Sequence, residues 1–252
     1  MAADTRGGAN PRFAIAASSP RSQNLAEHLV LMCASALFNG LTPRECNEIA
    51  SCGRMRTFAR DELLFSQGQP VRNLIFIQSG SVKHTQLGAS GNEVLLRMTG
   101  SGEAVDVHAD RTSCGHSCSA RAIEQCRALV WDYARLEALL AQYPQISYNI
   151  SQILAGRLKE LEERFREMAT EKVARRLALA LLRLLKQVGK QTEEGIQVSL
   201  NREEMGQMTG TTLYTISRIL SKWAEQGFVL PRRDSVLVKD PRQLESAGDA
   251  AE

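Results

Sequence analysis

Hydrophobic residues change their spacing along the chain, and the change separates a β-rich part from a helical part. Between residues 57 and 131, short runs of β-branched and apolar residues are separated by glycines. Runs of this length and composition predict β-strands. From Tyr143 onward, apolar residues recur every three or four positions, which predicts helices. The pattern therefore predicts an α+β chain, with strands first and helices afterwards.

The predicted strands suit an antiparallel β-roll or barrel, because many short strands with regular turn signals are typical of closed β-structures. They cover residues 63–65, 74–78, 81–87, 93–98, 120–124 and 128–132. Glycines such as Gly80 and Gly102 supply the positive φ angles of the turns between them. A β-sandwich without a ligand is an alternative that periodicity leaves open.

Two short helices are predicted before the strands. Residues 25–37 have amphipathic spacing. Thr42, Pro43 and Glu45 then form a helix-start signature: an N-cap, a proline in the first turn and the glutamate of a capping box. This second helix is predicted to run to about Cys52.

A narrow apolar stripe follows Pro144, a residue that suits the first turn of a helix. The stripe has the 4-3-4-3 spacing of a coiled-coil seam and consists of Leu154, Leu158, Leu161, Phe165 and Met168. Charged residues flank it. We therefore predict that two copies of this helix form a two-fold dimer interface. Packing of the stripe on its own domain is the alternative.

The C-terminal part predicts a helix-turn-helix, in which two helices meet at a glycine. The stretch that starts at Ser199 as a cap residue contains the first helix, which ends at Gly210. Thr211 and Thr212 cap the second helix, and Gly227 ends it. The flanking elements are a helix at 169–188, a polar loop at 189–195, a strand at 196–200 and a hairpin, or wing, from 228–230 and 235–239.

The start of the second helix is predicted to enter the major groove of double-stranded DNA. Its candidate DNA-binding residues are Thr211, Thr212, Tyr214, Thr215, Ser217, Arg218 and Lys222. Arg218 can donate to O6 and N7 of a guanine, whereas Thr211, Thr212 and Lys222 suit phosphates. The opposite face is predicted to be core and carries Ile216, Ile219, Leu220 and Trp223.

The composition indicates less about function than the hydrophobic pattern does. The net charge of +3 is too small to indicate a nucleic-acid partner by itself. No apolar run approaches the ~20 residues that cross a bilayer, and residues 1–24 are predicted to be a disordered tail. We therefore expect a cytoplasmic protein whose thiols are mostly reduced. No acid–base pair, nucleophile motif or phosphate loop indicates an enzyme.

These residues resemble the CRP/FNR superfamily of transcription regulators from about Leu37 to Leu244. The resemblance rests on residues 61–68 and 74–83, on Gly102 and above all on residues 210–220. It implies a cyclic-nucleotide-binding-like sensory roll at 25–142, a dimerisation helix at 143–169 and a winged helix-turn-helix at 170–245. It also implies a palindromic DNA site and RNA polymerase as partners.

Two departures from the family pattern bear on the signal and on the half-site. Members that bind cyclic AMP carry a Gly-Glu pair and an Arg-Ser pair, where this chain reads Asp106-Val107 and Cys118-Ser119. Without the arginine a cyclic phosphate lacks its charge-assisted contact, so no cyclic AMP binding is expected. Tyr214 stands where many members have a glutamate, and the helix looks closest to the NnrR-like branch, whose members respond to nitric oxide.

Clustered thiols and a histidine are the candidate sensor. Cys114, His116, Cys118 and Cys126 could bind a metal or an iron–sulfur cluster. Alternatively, the three cysteines could form a redox-switched disulfide or be ordinary thiols. Haem held by His84, His108 or His116 is a further possibility. Cys33, Cys46 and Cys52 are predicted to be core residues. An effector-independent regulator and a cofactor-free ligand-binding protein remain the alternatives to a redox, gas or metal sensor.

Overall fold

The computed structural model describes residues 28–89, 91–107 and 115–247. The predicted tail at 1–24 and the sensor candidates His108 and Cys114 lie outside the described residues.

The helices that precede the strands form where the local sequence predicts them. Residues 28–34 are helical, and a 3₁₀ turn at Ala36–Phe38 and helix α1 at Pro43–Ser51 come next. The amide of Glu45 donates to Thr42 Oγ1 at 3.3 Å, and the Thr42 amide donates to Glu45 Oε2 at 2.7 Å. The predicted capping box is therefore confirmed.

The β-roll consists of two antiparallel sheets, with strand orders β1-β7-β3 and β2-β6-β4-β5. Its strands are β1 Arg54–Phe58, β2 Leu63–Phe65, β3 Asn73–Ser79, β4 Val82–Leu87, β5 Glu93–Thr99, β6 Ser119–Ala122 and β7 Cys126–Asp132. Each predicted strand is present. Strand β1 was not predicted, because its first four side chains are exposed and leave no apolar run.

Three helices follow the roll: α2 Tyr133–Gln142, α3 Pro144–Thr170 and α4 Val173–Val188. Helix α2 was not predicted. Asp132 Oδ1 accepts a hydrogen bond from the Arg135 amide at 3.0 Å and caps its start. Extended backbone at Glu171 and Lys172 separates α3 from α4, so the fourth helix begins later than the predicted residue 169.

The C-terminal domain contains β8 Lys190–Thr192, β9 Gly195–Val198, α5 Arg202–Thr209, α6 Leu213–Glu225, β10 Val229–Pro231, β11 Val236–Val238 and α7 Pro241–Ala247. The four strands form one sheet in the order β10-β11-β9-β8. The prediction of a polar loop at 189–195 was wrong, because β8 pairs with β9 there through backbone hydrogen bonds while its side chains stay exposed.

The core of the C-terminal domain continues into the roll. Leu95 and Met98 of β5 belong to the same buried cluster as Leu177 of α4 and Met205 of α5. Strand β5 therefore contributes an apolar contact between the two domains.

Candidate DNA interface and sensory interior

Short-range hydrogen bonds build the helix-turn-helix. Asn201 Oδ1 accepts from the Glu204 amide at 2.9 Å, and Glu204 Oε2 accepts from the Asn201 amide at 2.9 Å, so Asn201 rather than Ser199 is the N-cap of α5. Gly210 ends α5 with φ of 64°, in the left-handed region that favours glycine. Thr212 Oγ1 then accepts from the Thr215 amide at 3.3 Å and starts α6.

Helix α6 has one buried face and one exposed face. Ile216, Leu220 and Trp223 are buried, and Ile219 packs against the same core, as predicted. On the other side, Tyr214 is 83% exposed. The remaining candidates are exposed (Thr212, Arg218 and Lys222) or half-buried (Thr211, Thr215 and Ser217). The structure thus presents the candidate residues on the accessible side of α6, while their individual DNA contacts stay predictions.

The wing and the start of α5 bring further cations to this side. A cleft of about 680 Å³ lies between α6, the N-terminus of α5 and the tip of the wing, and its lining includes Arg202 and Arg233 together with the carboxylates Glu203 and Asp234. The neighbouring Arg232 does not line this cleft. Its guanidinium instead donates to Gln197 Oε1 at 2.9 Å. The sequence interpretation missed Arg202 and Arg233 as DNA-facing candidates, although Arg233 lies in the predicted wing.

The middle of the apolar stripe of α3 is exposed. Phe165 is 77% exposed, and Leu158, Leu161 and Met168 are also exposed. Leu154, nearer the roll, is half-buried. Large apolar side chains in one exposed row are typical of an interaction surface. The exposure of Leu158, Leu161 and Phe165 argues against packing of this part of the stripe on its own domain, whereas Leu154 packs against a buried apolar cluster and Met168 lies against Gly210.

The inside of the roll holds a set of buried polar side chains, here called the polar interior: His84, Arg97, Thr99, Asp106, His116 and Cys118. His84 is completely buried, with Nε2 2.9 Å from Thr99 Oγ1 and Nδ1 3.6 Å from Cys118 Sγ. Burial and the nearby Arg97 hold the pKa of His84 well below its usual range. Burial also raises the pKa of the Cys118 thiol. Both groups are therefore neutral near pH 7.

Asp106 is the anion of the polar interior. Its Oδ2 lies 2.6 Å from His116 Nδ1, and its Oδ1 lies 3.8 Å from an Arg97 nitrogen. The His116 ring stacks on Phe65 with the ring centroids 3.7 Å apart. These contacts connect β5 to the segment that precedes β6.

Helix α3 contributes a cation to the same region. The Arg157 guanidinium donates to the Ala104 carbonyl at 3.0 Å. Burial, together with the positive charge of Arg97, lowers the pKa of Arg157 to about 10, so the residue stays protonated at neutral pH. The predicted dimerisation helix therefore contacts the roll beside the polar interior.

The structure does not assemble the predicted metal site from its described members. The Cys126 thiol donates to the Ser81 carbonyl at 3.3 Å, whereas Cys118 lies beside His84 and His116 beside Asp106. Within residues 28–89, 91–107 and 115–247, no three His, Cys, Asp or Glu side chains are grouped to hold a metal ion. Cys114, the fourth candidate, lies outside these residues.

The three N-terminal cysteines belong to the core, as predicted. Cys46 is completely buried, and Cys33 and Cys52 pack against the same apolar cluster. None of the helices that the structure describes is long and apolar enough to cross a membrane.

Comparison with known proteins identifies both domains. Residues 55–143 match the cyclic nucleotide-binding domain, and residues 175–247 match the Crp-like helix-turn-helix domain. The cyclic AMP receptor protein of Thermus thermophilus is 29% identical over 211 residues, which cover 84% of this chain and 95% of that protein. A CRP-like cAMP-activated global transcriptional regulator of Mycobacterium tuberculosis is 26% identical over 216 residues, covering 85% and 96%.

Solved structures show the same fold. FixK2 from Bradyrhizobium japonicum superimposes with a TM-score of 0.68 at 19% identity and covers 79% of this chain and 99% of its own. The c-di-GMP responsive global regulator CLP of Xanthomonas campestris gives a TM-score of 0.67 at 23% identity, with 79% and 100% covered.

A sensory roll joined to this type of helix-turn-helix defines a DNA-binding transcription regulator, not an enzyme. The chain belongs to the CRP/FNR superfamily.

Proposed function

We propose that the chain works in the cytoplasm as a homodimer that binds a palindromic DNA site and thereby recruits or blocks RNA polymerase. The observation that carries the proposal is the exposed face of α6, which holds Tyr214 and Arg218 above a fully buried core. The exposed stripe on α3 supports pairing of two copies. Two reading helices related by a two-fold axis match half-sites about one helical turn, roughly 34 Å, apart.

We further propose that the roll detects a redox, nitric oxide or metal-linked signal rather than cyclic AMP. A cyclic phosphate needs an uncompensated cation, but Arg97 lies beside Asp106. Arg157 in turn lies within the electrostatic reach of Asp106 and Glu103. Imidazole and thiolate are ligands that iron accepts, and His84, His116 and Cys118 carry these groups in the polar interior, although the described structure does not group them as a metal site.

The printed names of the relatives favour a second candidate signal. They describe a cyclic AMP receptor and a c-di-GMP responsive regulator, so a cyclic nucleotide is the competing effector. An effector-independent regulator is the third candidate. The NnrR-like branch assignment stays a prediction.

The test begins with protein purified without oxygen. Wild-type protein is first used to select duplexes from a random pool, and failure to enrich any sequence would overturn the DNA-binding proposal. A visible spectrum and metal analysis then follow. A Soret band supports haem, iron with labile sulfide supports a cluster, and nitric oxide or an oxidant should change the affinity for the selected duplex.

Cyclic nucleotides, the competing class of effector, are tested on the same complex. Cyclic AMP and c-di-GMP are titrated against the same duplex complex. If either one changes the DNA affinity while the protein carries no metal and ignores oxidants and nitric oxide, the proposed signal class is wrong.

A further inference from the structure

Strand β4 has the polar interior on one side and the DNA-binding domain on the other. His84 points into the roll, toward Thr99 and Cys118. Its neighbour Lys83 points the opposite way, as expected for successive residues of a strand. Lys83 Nζ lies 2.6 Å from Glu204 Oε1, with the two side chains only 20% and 15% exposed.

Glu204 is more than a surface partner for this lysine. Its second oxygen, Oε2, accepts from the Asn201 amide at 2.9 Å and completes the capping box of α5. Helix α5 is the first helix of the helix-turn-helix. A displacement of Lys83 would therefore displace the N-terminus of α5. The turn and α6 come directly after α5 in the chain.

Two further features join the hairpin β4–β5 to the DNA-binding domain, and a third joins it to α3. Leu95 and Met98 of β5 are buried together with Met205 of α5. The Arg164 guanidinium donates to the Leu96 carbonyl. A Cβ on Gly100 would lie 2.6 Å from the Gln187 carbonyl oxygen, so the backbones approach closely at that point. A displacement of the hairpin must therefore move the DNA-binding domain or break this contact.

The pairing of β4 with β5 is irregular beside His84. The register shifts between His84 and Thr85, which pair with Arg97 and Leu95, so the extra residue of the bulge is Leu96 of β5. Bulges re-aim side chains and are common beside functional sites. The bulge therefore lies in β5 opposite His84, while β4 itself stays in register with β6 at His84 and Thr85.

We propose that β4 transmits the state of the polar interior to the helix-turn-helix within one chain, and that the Lys83–Glu204 ion pair, here called the latch, is the contact that does so. The inference rests on the proposed function and adds to it a route separate from α3. The latch leaves the accessible side of α6 open, since Tyr214 stays exposed. It therefore acts on the orientation of the domain and not by covering the DNA-binding residues.

The test is a set of thermodynamic cycles on the affinity for a duplex selected with wild-type protein. Glu204→Gln removes the charge and keeps the capping box, because glutamine serves at that position. Lys83→Met removes the other half of the latch. Each single variant is expected to change the affinity by about fivefold or more, within the range of allosteric coupling. The double variant should differ from either single variant by less than about twofold.

The second cycle links the latch to residues on the far side of the strand. Thr99→Val removes the hydroxyl next to His84 Nε2 at nearly constant shape, and Cys118→Ala removes the group next to Nδ1. Each is expected to change the DNA affinity in the wild-type background and to lose that effect in the Glu204→Gln background. An equal effect in both backgrounds, including no effect in either, overturns the proposal.

Controls separate the latch from general charge and stability effects. Lys190→Met removes a more exposed inter-domain lysine, whose partner is Glu124, and should change the affinity by less than about twofold. Thermal unfolding shows whether each variant is folded. If one of Thr99→Val and Cys118→Ala does not fold, the other is sufficient for the second cycle. Failure of wild-type protein to bind any duplex would refute the proposed function. Normal binding without coupling would refute the latch alone.

Discussion

The Met168 Cε methyl, near the end of α3, lies 2.5 Å from the position that a Cβ on Gly210 would occupy. Met168 is the last residue of the stripe, and Gly210 is the left-handed residue between the two helices of the helix-turn-helix. The predicted dimerisation helix therefore touches the turn that sets the direction of α6.

This contact predicts that Gly210→Ala disturbs DNA binding as well as stability. Alanine at φ of 64° costs about 1–2 kcal/mol, and its methyl must also displace Met168. Gly227→Ala is the matched control, because Gly227 has φ of 85° with nothing within 4 Å of the added methyl. We expect similar losses in the free energy of unfolding for both, measured in urea, and weaker DNA binding only for Gly210→Ala. Equal DNA affinities for the two variants would contradict a role for the Met168 contact.

Arg218 is predicted to read a base. Arg218→Ala should weaken binding to a selected duplex by about tenfold or more, since a bidentate arginine–guanine contact contributes about 1–3 kcal/mol of discrimination. Fluorescence anisotropy at fixed salt measures the affinity. Arg44→Ala removes the same charge from an exposed position on α1 and should leave the affinity almost unchanged. If both variants lose affinity equally for specific and random duplexes, Arg218 contributes charge and not base recognition.

The exposed stripe predicts that Phe165→Glu separates the dimer. Each buried Phe contributes about 1.5–3 kcal/mol, and a two-fold interface buries two of them. The dissociation constant should therefore rise by about 100-fold or more, which sedimentation equilibrium detects. Gln152→Glu adds the same charge at an exposed position outside the stripe and should leave the dimer intact. A wild-type protein that is monomeric at all concentrations would contradict the interface.

Burial of neutral His84 predicts a pH dependence of stability. The folded pKa lies well below the usual value of 6.5, so in acid the unfolded chain binds a proton that the folded chain does not. The free energy of unfolding should therefore fall as the pH drops below about 6.5, by at most about 1.4 kcal/mol per pH unit from this group. His84→Gln should show a flatter curve between pH 7 and pH 5. Parallel curves for wild type and variant would show that His84 does not titrate differently in the folded state.

Many features of the fold follow from local sequence, because the interactions that make them are local. Thr42, Gly210 and Thr212 act through hydrogen bonds or backbone angles within a few residues, so their roles could be recognised in advance. The stripe on α3 and the buried face of α6 follow from helical periodicity alone. The second helix of the helix-turn-helix could be predicted for the same reason.

Other elements depend on distant partners. Strands β1 and β8 have exposed side chains and exist because β7 and β9 satisfy their backbone groups. The predicted grouping of Cys118, Cys126 and His116 was based on closeness in sequence. In the described structure Cys118 lies beside His84 and His116 beside Asp106, because strand pairing and not chain distance decides which side chains meet.

The sequence by itself determined the class of the protein, because helix caps, a coiled-coil spacing and a helix-turn-helix are short-range patterns. Only the tertiary structure decided which residues of the two domains meet. Lys83 and Glu204 are separated by 121 positions, and no periodicity predicts that they form an ion pair. Their contact exists because β5 and α5 share one apolar core, and burial of that shared surface brings the roll against the DNA-binding domain.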